Sequence, residues 1–520
     1  MKALRARVTR RAFGLGAIAS VAVPATAPAA PPPAAAVKQR VLTLQPALEE
    51  YLRKAMADWH VPGAALGVIA GGDLVLAKGY GVRDSETGAP VDADTVFQIG
   101  SMTKAFGAAT EAVMVDQGKL RWNDRVLDHF PEFELWDPWV TREFQIVDLL
   151  AQRSGLRPYV LDRLQPLGFA PDLRIRGLRH AAPITSFRSS FAYQNILHLV
   201  AGRIVAKLAG EASWEDALTK LILRPLAMTA TTMTAQGIQS HPNHATGHIY
   251  RDGSIRRLPF LADFYDVGAA GNINSSLTDM LQWFALQLGR GSLRGKRLVS
   301  EAALTDTWKP RIDTAPSAPF PDGWSAYASG WVFRMTANGS VVWHNGGTGL
   351  FKSHGGFVPE LGAAIILLTN EGTGLMPDSV AFWFYDKVLG NPERDYSRLN
   401  LDQFQAASAA ARAAATPPMP PAPPGPAADY EGIYDSPITG PAEVAHHSGT
   451  IRLTFDATRS VFTLEPWSGD VRVLTPTDRD LLAIAKSGDP DLMRFLRDAR
   501  GRVVSLRFVD DEDLLWTRRG

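Results

Sequence analysis

The chain has 520 residues, with 54 lysines and arginines against 53 aspartates and glutamates, so its formal net charge is +1. This balance argues against a nucleic-acid-binding protein, which usually carries a clear basic excess. The chain has no cysteine, which excludes disulfides, thiolate metal sites, a cysteine nucleophile and a lipid anchor on cysteine.

Residues 1–36 have the features of an export signal. An apolar stretch, Phe13 to Val23, is much shorter than the ~20 residues of a membrane-spanning helix, and the small residues Ala25 to Ala30 suit signal cleavage. Thr9-Arg10-Arg11-Ala12-Phe13 is similar to a twin-arginine signal, with an ordinary secretory signal as the alternative. Either kind of signal predicts an exported protein, periplasmic or secreted, without a permanent membrane span. The basic residues before the apolar stretch are Lys2, Arg5, Arg7, Arg10 and Arg11.

Residues 37–405 predict a sheet made from both ends of this segment, with a helical insert between them. A helix is expected at Pro46–Trp59, then a hairpin that turns at Gly71-Gly72-Asp73. Asn338-Gly339 predicts a second hairpin near the far end. The expected strands are Ala65–Ile69, Leu74–Tyr80, Gly330–Met335, Ser340–His344, His354–Val358 and Ala363–Leu368, and the other expected helices are Met102–Gln117, Ile196–Leu208, Leu277–Leu288 and Val380–Leu389.

Composition changes at residues 406–428, which are almost entirely alanine and proline and predict a linker, with a short helix running into an extended spacer. In residues 429–520, short alternating runs are separated by turn pairs such as Ser468-Gly469 and Arg500-Gly501, a spacing typical of a small antiparallel barrel or sandwich. The expected strands are Thr450–Phe455, Val461–Pro466, Val471–Leu474, Leu481–Ile484, Met493–Leu496, Val503–Phe508 and Leu514–Thr517.

The first candidate for chemistry is Ser101-Met102-Thr103-Lys104, at the start of a predicted helix, where Ser101 and Lys104 share one face. A serine needs a nearby base to act as nucleophile, and a lysine can serve once burial or a helix N-terminus disfavours its charged form. The helix N-terminus also directs N–H groups at a developing oxyanion. Taken alone, the motif also fits a helix-capping serine with a solvated lysine.

The second candidate is Tyr193-Gln194-Asn195, just before the helix that starts at Ile196. A phenol near a lysine ammonium has its ionised form favoured and can act as a general base. The Asn195 amide can hold the lysine or a substrate carbonyl. Taken alone, a core tyrosine beside a capping asparagine explains this pattern better.

The third candidate is His344-Asn345-Gly346-Gly347, which follows a strand that ends at Trp343. Its glycines let a substrate or another backbone approach closely. His-x-Gly also occurs at His354 and His447, so position after that strand distinguishes this copy. The chain lacks the motifs of a phosphate-binding loop, a zinc protease and an α/β-hydrolase elbow.

Taken in order, the three motifs resemble those of the serine β-lactamase and penicillin-binding-protein superfamily, and in particular its class C β-lactamase-related hydrolases, the S12 peptidase or CubicO-type group. The resemblance implies an α+β fold, an antiparallel sheet flanked by helices with a helical insert. Residues 429–520 resemble a small lipocalin-like barrel found behind some of these hydrolases. Further family-like stretches, within about residues 45–390, are Gln98–Lys104, Leu149–Leu156, Pro225–Met228 and Ala270–Ser276.

The resemblance also implies roles for the residues of the first two motifs. Ser101 is the acylated nucleophile. Lys104 and Tyr193 share the proton transfers, and either can be the base. Asn195 positions Lys104 and the substrate.

In the third motif, the resemblance places His344 where the family has lysine, and Gly346 and Gly347 beside the oxyanion, which the N–H groups of Ser101 and Gly347 would hold. A histidine is largely neutral near pH 7. A neutral histidine does not provide a fixed cation for the carboxylate of a β-lactam or a D-Ala-D-Ala peptide, so this departure favours peptidase, amidase or esterase chemistry over efficient β-lactamase activity. Gln152 also stands where many relatives have histidine.

The sequence thus predicts an exported serine hydrolase that acts through an acyl-enzyme on an amide, peptide or ester. Its partner is a small-molecule or peptide substrate, and it needs no metal, cofactor or nucleic acid. A class C-like β-lactamase or D-Ala-D-Ala carboxypeptidase is one alternative. A non-catalytic β-lactam or peptidoglycan sensor is another, and a third gives the main role to the C-terminal barrel as a binding module.

Overall fold

The structure of the protein is a computed structural model that describes residues 32–260, 262–314, 323–447, 449–485 and 490–520. Most of the predicted export signal therefore lies outside the described residues, and its last residues, 34–36, begin a helix. Within the described ranges, no helix is both long and apolar enough to cross a membrane.

The main sheet has eight antiparallel strands that come from both ends of the predicted hydrolase segment. Its first hairpin turns at Gly71 and Gly72, whose φ angles of 61° and 86° favour glycine. The hairpin then pairs with a strand from the far end, Ala363–Thr369. The strand order is Asp73–Gly81, Gly63–Ala70, Ala363–Thr369, Lys352–Val358, Gly339–Gly347, Val332–Thr336, Trp324–Tyr327 and Ile312–Asp313.

Helices cover both faces of this sheet, which explains why every residue of the strand Ala363–Thr369 is buried. Successive side chains of a strand point to opposite faces. Ile365 and Leu367 belong to the core under the helices Ala34–Asp58 and Met376–Leu389. Ile366 and Leu368 belong to the core under Leu277–Leu288. The fold is therefore the predicted α+β arrangement of a helix-flanked antiparallel sheet.

The first helix, Ala34–Asp58, starts well before the predicted Pro46, which lies inside it. A buried stripe that includes Val37, Val41 and Leu48 runs through the proline, so tertiary packing outweighs the local preference of proline for a helix start. The other α-helices of the main part are Thr103–Asp116, Val126–His129, Pro138–Glu143, Ile146–Leu150, Pro171–Gly177, Ile196–Ala209, Trp214–Leu218, Ala235–Gln239, Leu277–Leu288, Glu301–Asp306, Met376–Leu389 and Tyr396–Ala414. Segments of 3₁₀-helix lie at Gly100–Met102, Asp162–Leu164, Leu178–His180 and, with a kink at Gly268, Ala262–Ala270, and a π-helical segment lies at Thr219–Leu223.

Three small two-stranded sheets complete the main part: Val96–Gln98 with Asn274–Ser276, His248–Arg251 with Ser254–Arg257, and Ser292–Leu293 with Lys296–Arg297. The first of them ends just before the turn that carries Ser101. It therefore fixes that turn to the strand that precedes the helix Leu277–Leu288.

The C-terminal part is a closed barrel of eight antiparallel strands. The predicted strand Leu481–Ile484 is wrong, because this run lies in a helix, Arg479–Ala485, whose start is capped by the Asp478 carboxylate accepting from two backbone N–H groups. The barrel strands are Gly432–Ser436, Gly440–His447, Thr450–Phe455, Val461–Ser468, Val471–Pro476, Leu492–Arg497, Val503–Phe508 and Leu515–Arg518, and one short helix, Ala427–Tyr430, precedes them.

The barrel packs against the helical insert of the main part. Phe169 of the insert meets Phe455 of the barrel, with ring centroids 5.4 Å apart. Arg163 of the insert donates to two barrel carboxylates, Asp491 and Asp510, each at 2.8 Å. The contact is thus apolar at Phe169 and charged at Arg163, beside the turn Asp162–Leu164.

We expect Phe169→Ala to destabilise the protein by about 3–5 kcal/mol, because the ring is 1% exposed and its removal leaves a cavity between insert and barrel. Urea unfolding followed by tryptophan fluorescence measures this effect. Trp136→Ala is the matched control, since its side chain is 56% exposed. An unfolding midpoint that moves no further for Phe169→Ala than for the control would refute the contact.

Candidate active site

Ser101 lies in the turn Gly100–Met102, which leads directly into the helix Thr103–Asp116. Gly100 has a φ of +52°, and a Cβ there would lie 2.7 Å from the backbone nitrogen of Gly347. Only glycine tolerates both the angle and the contact. The turn that carries Ser101 can therefore lie directly against the strand Gly339–Gly347.

Lys104 is completely buried on the first turn of the helix that follows Ser101. Its Nζ lies 3.0 Å from Ser101 Oγ, 2.6 Å from Asn195 Oδ1 and 2.8 Å from the carbonyl oxygen of Ala270. Burial lowers the pKa of Lys104 to about 7, and the Asp162 carboxylate opposes this shift. A substantial fraction of the amine is therefore neutral near pH 7.

Tyr193 lies on the other side of this amine, with Lys104 Nζ 4.7 Å from the centre of its ring. Burial raises the pKa of Tyr193 well above its ordinary value, and a hydrogen bond to the Ser101 side chain only partly offsets this. The phenol therefore keeps its proton. The sequence predicted the opposite direction from a lysine charge, but Lys104 is itself buried and its charged form is disfavoured.

Asn195 links Lys104 to Asp162, a residue that the sequence analysis missed. The Asn195 amide accepts from Lys104 through Oδ1 and donates from Nδ2 to Asp162 Oδ2 at 2.6 Å. Burial raises the pKa of Asp162, and this hydrogen bond and the charges of Lys104 and Arg174 oppose the rise. Asp162 lies in the insert outside the three motifs, so no sequence signal points to it.

His344 lies on the strand Gly339–Gly347 and is buried. Its Nε2 lies 3.0 Å from the Tyr327 hydroxyl, and its Nδ1 lies 2.6 Å from the carbonyl oxygen of Asn345. With Nδ1–H donating to that carbonyl, Nε2 accepts from Tyr327. Burial lowers the pKa of His344 to about 3, and the Lys104 charge acts in the same direction. His344 is therefore neutral at ordinary pH.

Gly346 and Gly347 lie where the third motif meets the Ser101 turn. A Cβ on Gly346 would lie 1.9 Å from the carbonyl oxygen of Ile99, so any side chain there would push the strand away. Gly347 abuts Gly100, as described above. The glycines predicted a close backbone approach, and Gly347 lies next to the turn that carries Ser101.

Gln152 hydrogen-bonds to the backbone of the second motif. It is buried with a φ of +58°. Its Oε1 accepts from the backbone N–H of Gln194 at 2.6 Å, and its Nε2 donates to the carbonyl oxygen of the same residue at 3.1 Å. This pair of hydrogen bonds fixes the backbone between Tyr193 and Asn195.

Many of these residues line one cavity of about 560 Å³. The structure brings all seven predicted site residues together, six of them on its wall and Lys104 immediately behind Ser101. Tyr159, Tyr327 and Lys352 are among the further wall residues that the sequence analysis did not identify. A serine hydroxyl beside a poised amine, in a cavity with backbone N–H groups nearby, is suited to acyl transfer.

The beta-lactamase family model matches residues 48–390. The chain therefore belongs to the beta-lactamase family, within the serine hydrolase and penicillin-binding-protein superfamily.

Among curated relatives, the chain is 30% identical over 339 residues to penicillin-binding protein 4 of Amycolatopsis lactamdurans. This match covers 62% of this chain and 84% of that protein. It is 29% identical over 332 residues to the unguisins hydrolase ungD' of Aspergillus campestris, which covers 62% of this chain. The matched part spans 60% of the length of that hydrolase.

Solved structures show the same fold over nearly the whole chain. The octameric penicillin-binding protein homologue from Pyrococcus abyssi has a TM-score of 0.59 at 21% identity and covers 90% of this chain and 99% of that one. The crystal structure of SurE has a TM-score of 0.54 at 20% identity, and the match covers 92% of this chain and 100% of that one.

Proposed function

We propose that this protein is an exported serine hydrolase that forms an acyl-enzyme at Ser101 and acts on an amide, peptide or ester. The observation that carries the proposal is the buried Lys104 amine 3.0 Å from Ser101 Oγ. A lysine held in this way can remove the serine proton near neutral pH. The names of the two relatives, a hydrolase and a penicillin-binding protein, support acyl chemistry.

The three hydrogen bonds of Lys104 favour this amine as the base. A neutral amine has two hydrogens and one lone pair. The Asn195 Oδ1 and the Ala270 carbonyl can only accept, so they take the two hydrogens. The lone pair then faces the Ser101 hydroxyl and can accept its proton.

In the proposed reaction, Ser101 Oγ bonds to the substrate carbonyl carbon while its proton passes to Lys104. The N–H groups of Ser101 and Gly347 hold the oxyanion. When the carbon–leaving group bond breaks, the leaving group takes the proton of the Tyr193 phenol, and Lys104 returns the first proton to Tyr193. Water then releases the acyl group by the reverse transfers, so protons and atoms balance over the cycle.

The proposal also divides the chain into an export signal at residues 1–36, a hydrolase domain at 37–405, a linker at 406–428 and a barrel domain at 429–520. The helix Tyr396–Ala414 crosses the proposed start of the linker, and extended chain follows it. The signal-like composition of the N-terminus supports export.

We expect the rate of ester hydrolysis to rise with pH through about 7, because Lys104 is active only after it loses its proton. In Asp162→Asn this rise should move to lower pH, since the Asp162 carboxylate raises the pKa of Lys104. The pH profile of kcat/KM measures both. Asp172→Asn, with a carboxylate 60% exposed in the same insert, is the control and should leave the profile in place. A shift to higher pH in Asp162→Asn would contradict the assignment.

A hydrolysis panel tests the function itself, with p-nitrophenyl acetate, D-aminoacyl anilides, a D-Ala-D-Ala peptide and nitrocefin. We expect steady turnover of an ester or an anilide that exceeds turnover of nitrocefin. If nitrocefin is the fastest substrate, the result favours a β-lactamase. If the D-Ala-D-Ala peptide is the fastest, it favours a carboxypeptidase. Labelling by a fluorescent penicillin without turnover of any compound would indicate a sensor and refute the proposal.

A further inference from the structure

Residues 157–163 of the helical insert connect the active site to the C-terminal barrel. This segment carries Tyr159, on the cavity wall, and Asp162, the partner of Asn195. Tyr159 and Leu161 have φ angles of +57° and +60°, in the left-handed region that residues other than glycine rarely adopt. Such a conformation persists only where the surrounding structure holds it in place. The contacts of this segment therefore decide where its two site residues lie.

The start of the segment is fixed by the second motif and by the barrel. Gln194 Nε2 donates to the carbonyl oxygen of Arg157 at 2.6 Å. The backbone N–H of Tyr159 donates to the carbonyl oxygen of Tyr193 at 2.7 Å. From the barrel, the Asp513 carboxylate accepts from Arg157 Nε at 3.3 Å. Since the start is anchored beside the site, the position of the rest of the segment depends on its other end.

The other end is Arg163, which the barrel holds. Besides its hydrogen bonds to Asp491 and Asp510, the guanidinium carbon lies 4.6 Å from the centre of the Phe508 ring. A single exposed ion pair contributes little, but Arg163 is only 26% exposed and combines two carboxylates with an aromatic ring. Because Arg163 directly follows Asp162 in the chain, these contacts fix the backbone next to that carboxylate.

We propose that Arg163 is a positioning residue, through which the barrel of the same chain holds Asp162 against Asn195 in the active site. The inference deepens the proposed function and rests on it. Arg163 does not belong to the described lining of the cavity, so it acts on the reaction only through its neighbour Asp162. In this arrangement the barrel supports the chemistry at Ser101 without touching the substrate.

The pH dependence of the reaction reports the position of Asp162, because its carboxylate raises the pKa of Lys104. The other titratable groups around Lys104 and Asp162 are Tyr159, Arg174, Tyr193, His198 and His344. Burial raises the pKa of both phenols and lowers the pKa of both histidines, so these four groups are uncharged near pH 7. Asp162 is the one carboxylate in this set, and its distance from Lys104 therefore matters.

Two variants with opposite charge changes test the coupling through the pH profile of kcat/KM for a p-nitrophenyl ester. Arg163→Gln removes a cation, and the double variant Asp491→Asn/Asp510→Asn removes its two barrel partners. Both free Asp162 to move away from Lys104, so both should shift the rise near pH 7 to lower pH by about 0.5–1 pH unit.

A direct effect of the charges predicts a different result for Arg163→Gln. Removal of a cation favours the ammonium form of Lys104, so the profile of this variant would shift to higher pH. That shift, or an unchanged profile in Arg163→Gln, would overturn the proposal. Arg179→Gln is the matched control and should leave the profile in place, because this arginine of the same insert pairs with Glu134 of the main part.

Hydrogen exchange separates the positioning role from the proposed function. If the native protein hydrolyses no ester, the proposed function fails, and exchange then decides the role of Arg163 alone. The amide of Tyr159 donates to Tyr193, and that of Asp162 donates to Tyr159. Both amides should exchange at least about 10-fold faster in Arg163→Gln than in Arg179→Gln. Equal exchange in the two variants would overturn the positioning role.

Discussion

The Ser101→Ala protein should lose at least about 10⁴-fold in the turnover of a p-nitrophenyl ester, as expected when a nucleophile that works as a unit with its base is removed. The methyl group keeps the volume of the side chain but offers no oxygen to the carbonyl carbon. The Lys104 amine then lacks its reacting partner at 3.0 Å and keeps only Asn195 and Ala270.

Initial rates under saturating ester, with circular dichroism to verify the fold, measure this loss. Ser300→Ala is a matched control, since Ser300 caps the helix Glu301–Asp306 through its hydroxyl and lies outside the cavity lining. That variant should retain activity within about twofold of the native protein, although it loses a helix cap that is typically worth ~1 kcal/mol. Retained turnover in Ser101→Ala would remove Ser101 from the reaction.

Lys104→Met should lower kcat about 10²–10⁴-fold, the usual range for loss of a general base. Methionine keeps the length and the apolar character of the buried stem. It leaves the Asn195 Oδ1 and the Ala270 carbonyl without a donor, so some loss of stability is also expected. The pH-dependent rise near 7 should disappear, because Lys104 is the group that titrates there.

Comparison with Tyr193→Phe identifies the base. If Lys104 is the base, Tyr193→Phe is slower because it cannot protonate the leaving group, but its rate still rises with pH near 7. A rise that persists in Lys104→Met and vanishes in Tyr193→Phe would make Tyr193 the base. Lys119→Met, which changes an exposed lysine just beyond the same helix, controls for the loss of a charge and should behave like the native protein.

Much of the fold could be predicted because local signals and burial agree. The paired glycines at Gly71 and Gly72 and the Asn338-Gly339 turn mark hairpins that the structure contains. The prediction failed where a local sequence signal disagreed with the structure. The barrel strand Gly440–His447 was missed because Pro441 weakens a strand pattern, although it is paired there with Asp435.

The site could be predicted only where its residues lie in motifs. Ser101 and Lys104 meet through one helical turn, which sequence spacing encodes directly. Asp162 and Lys352 reach the site from the insert and from a neighbouring strand, so only the folded chain shows them. The protonated state of Tyr193 could not be predicted from the sequence either, because burial raises its pKa and burial is a property of the tertiary structure.

The most direct test of the central claim is covalent labelling of the native protein with a fluorophosphonate, followed by digestion and tandem mass spectrometry. The labelled residue should be Ser101, with one label per chain, and labelling of Lys104→Met should be far slower because its serine lacks the base. A label on any other residue, or no label on a protein that still hydrolyses esters, would contradict a Ser101 acyl-enzyme.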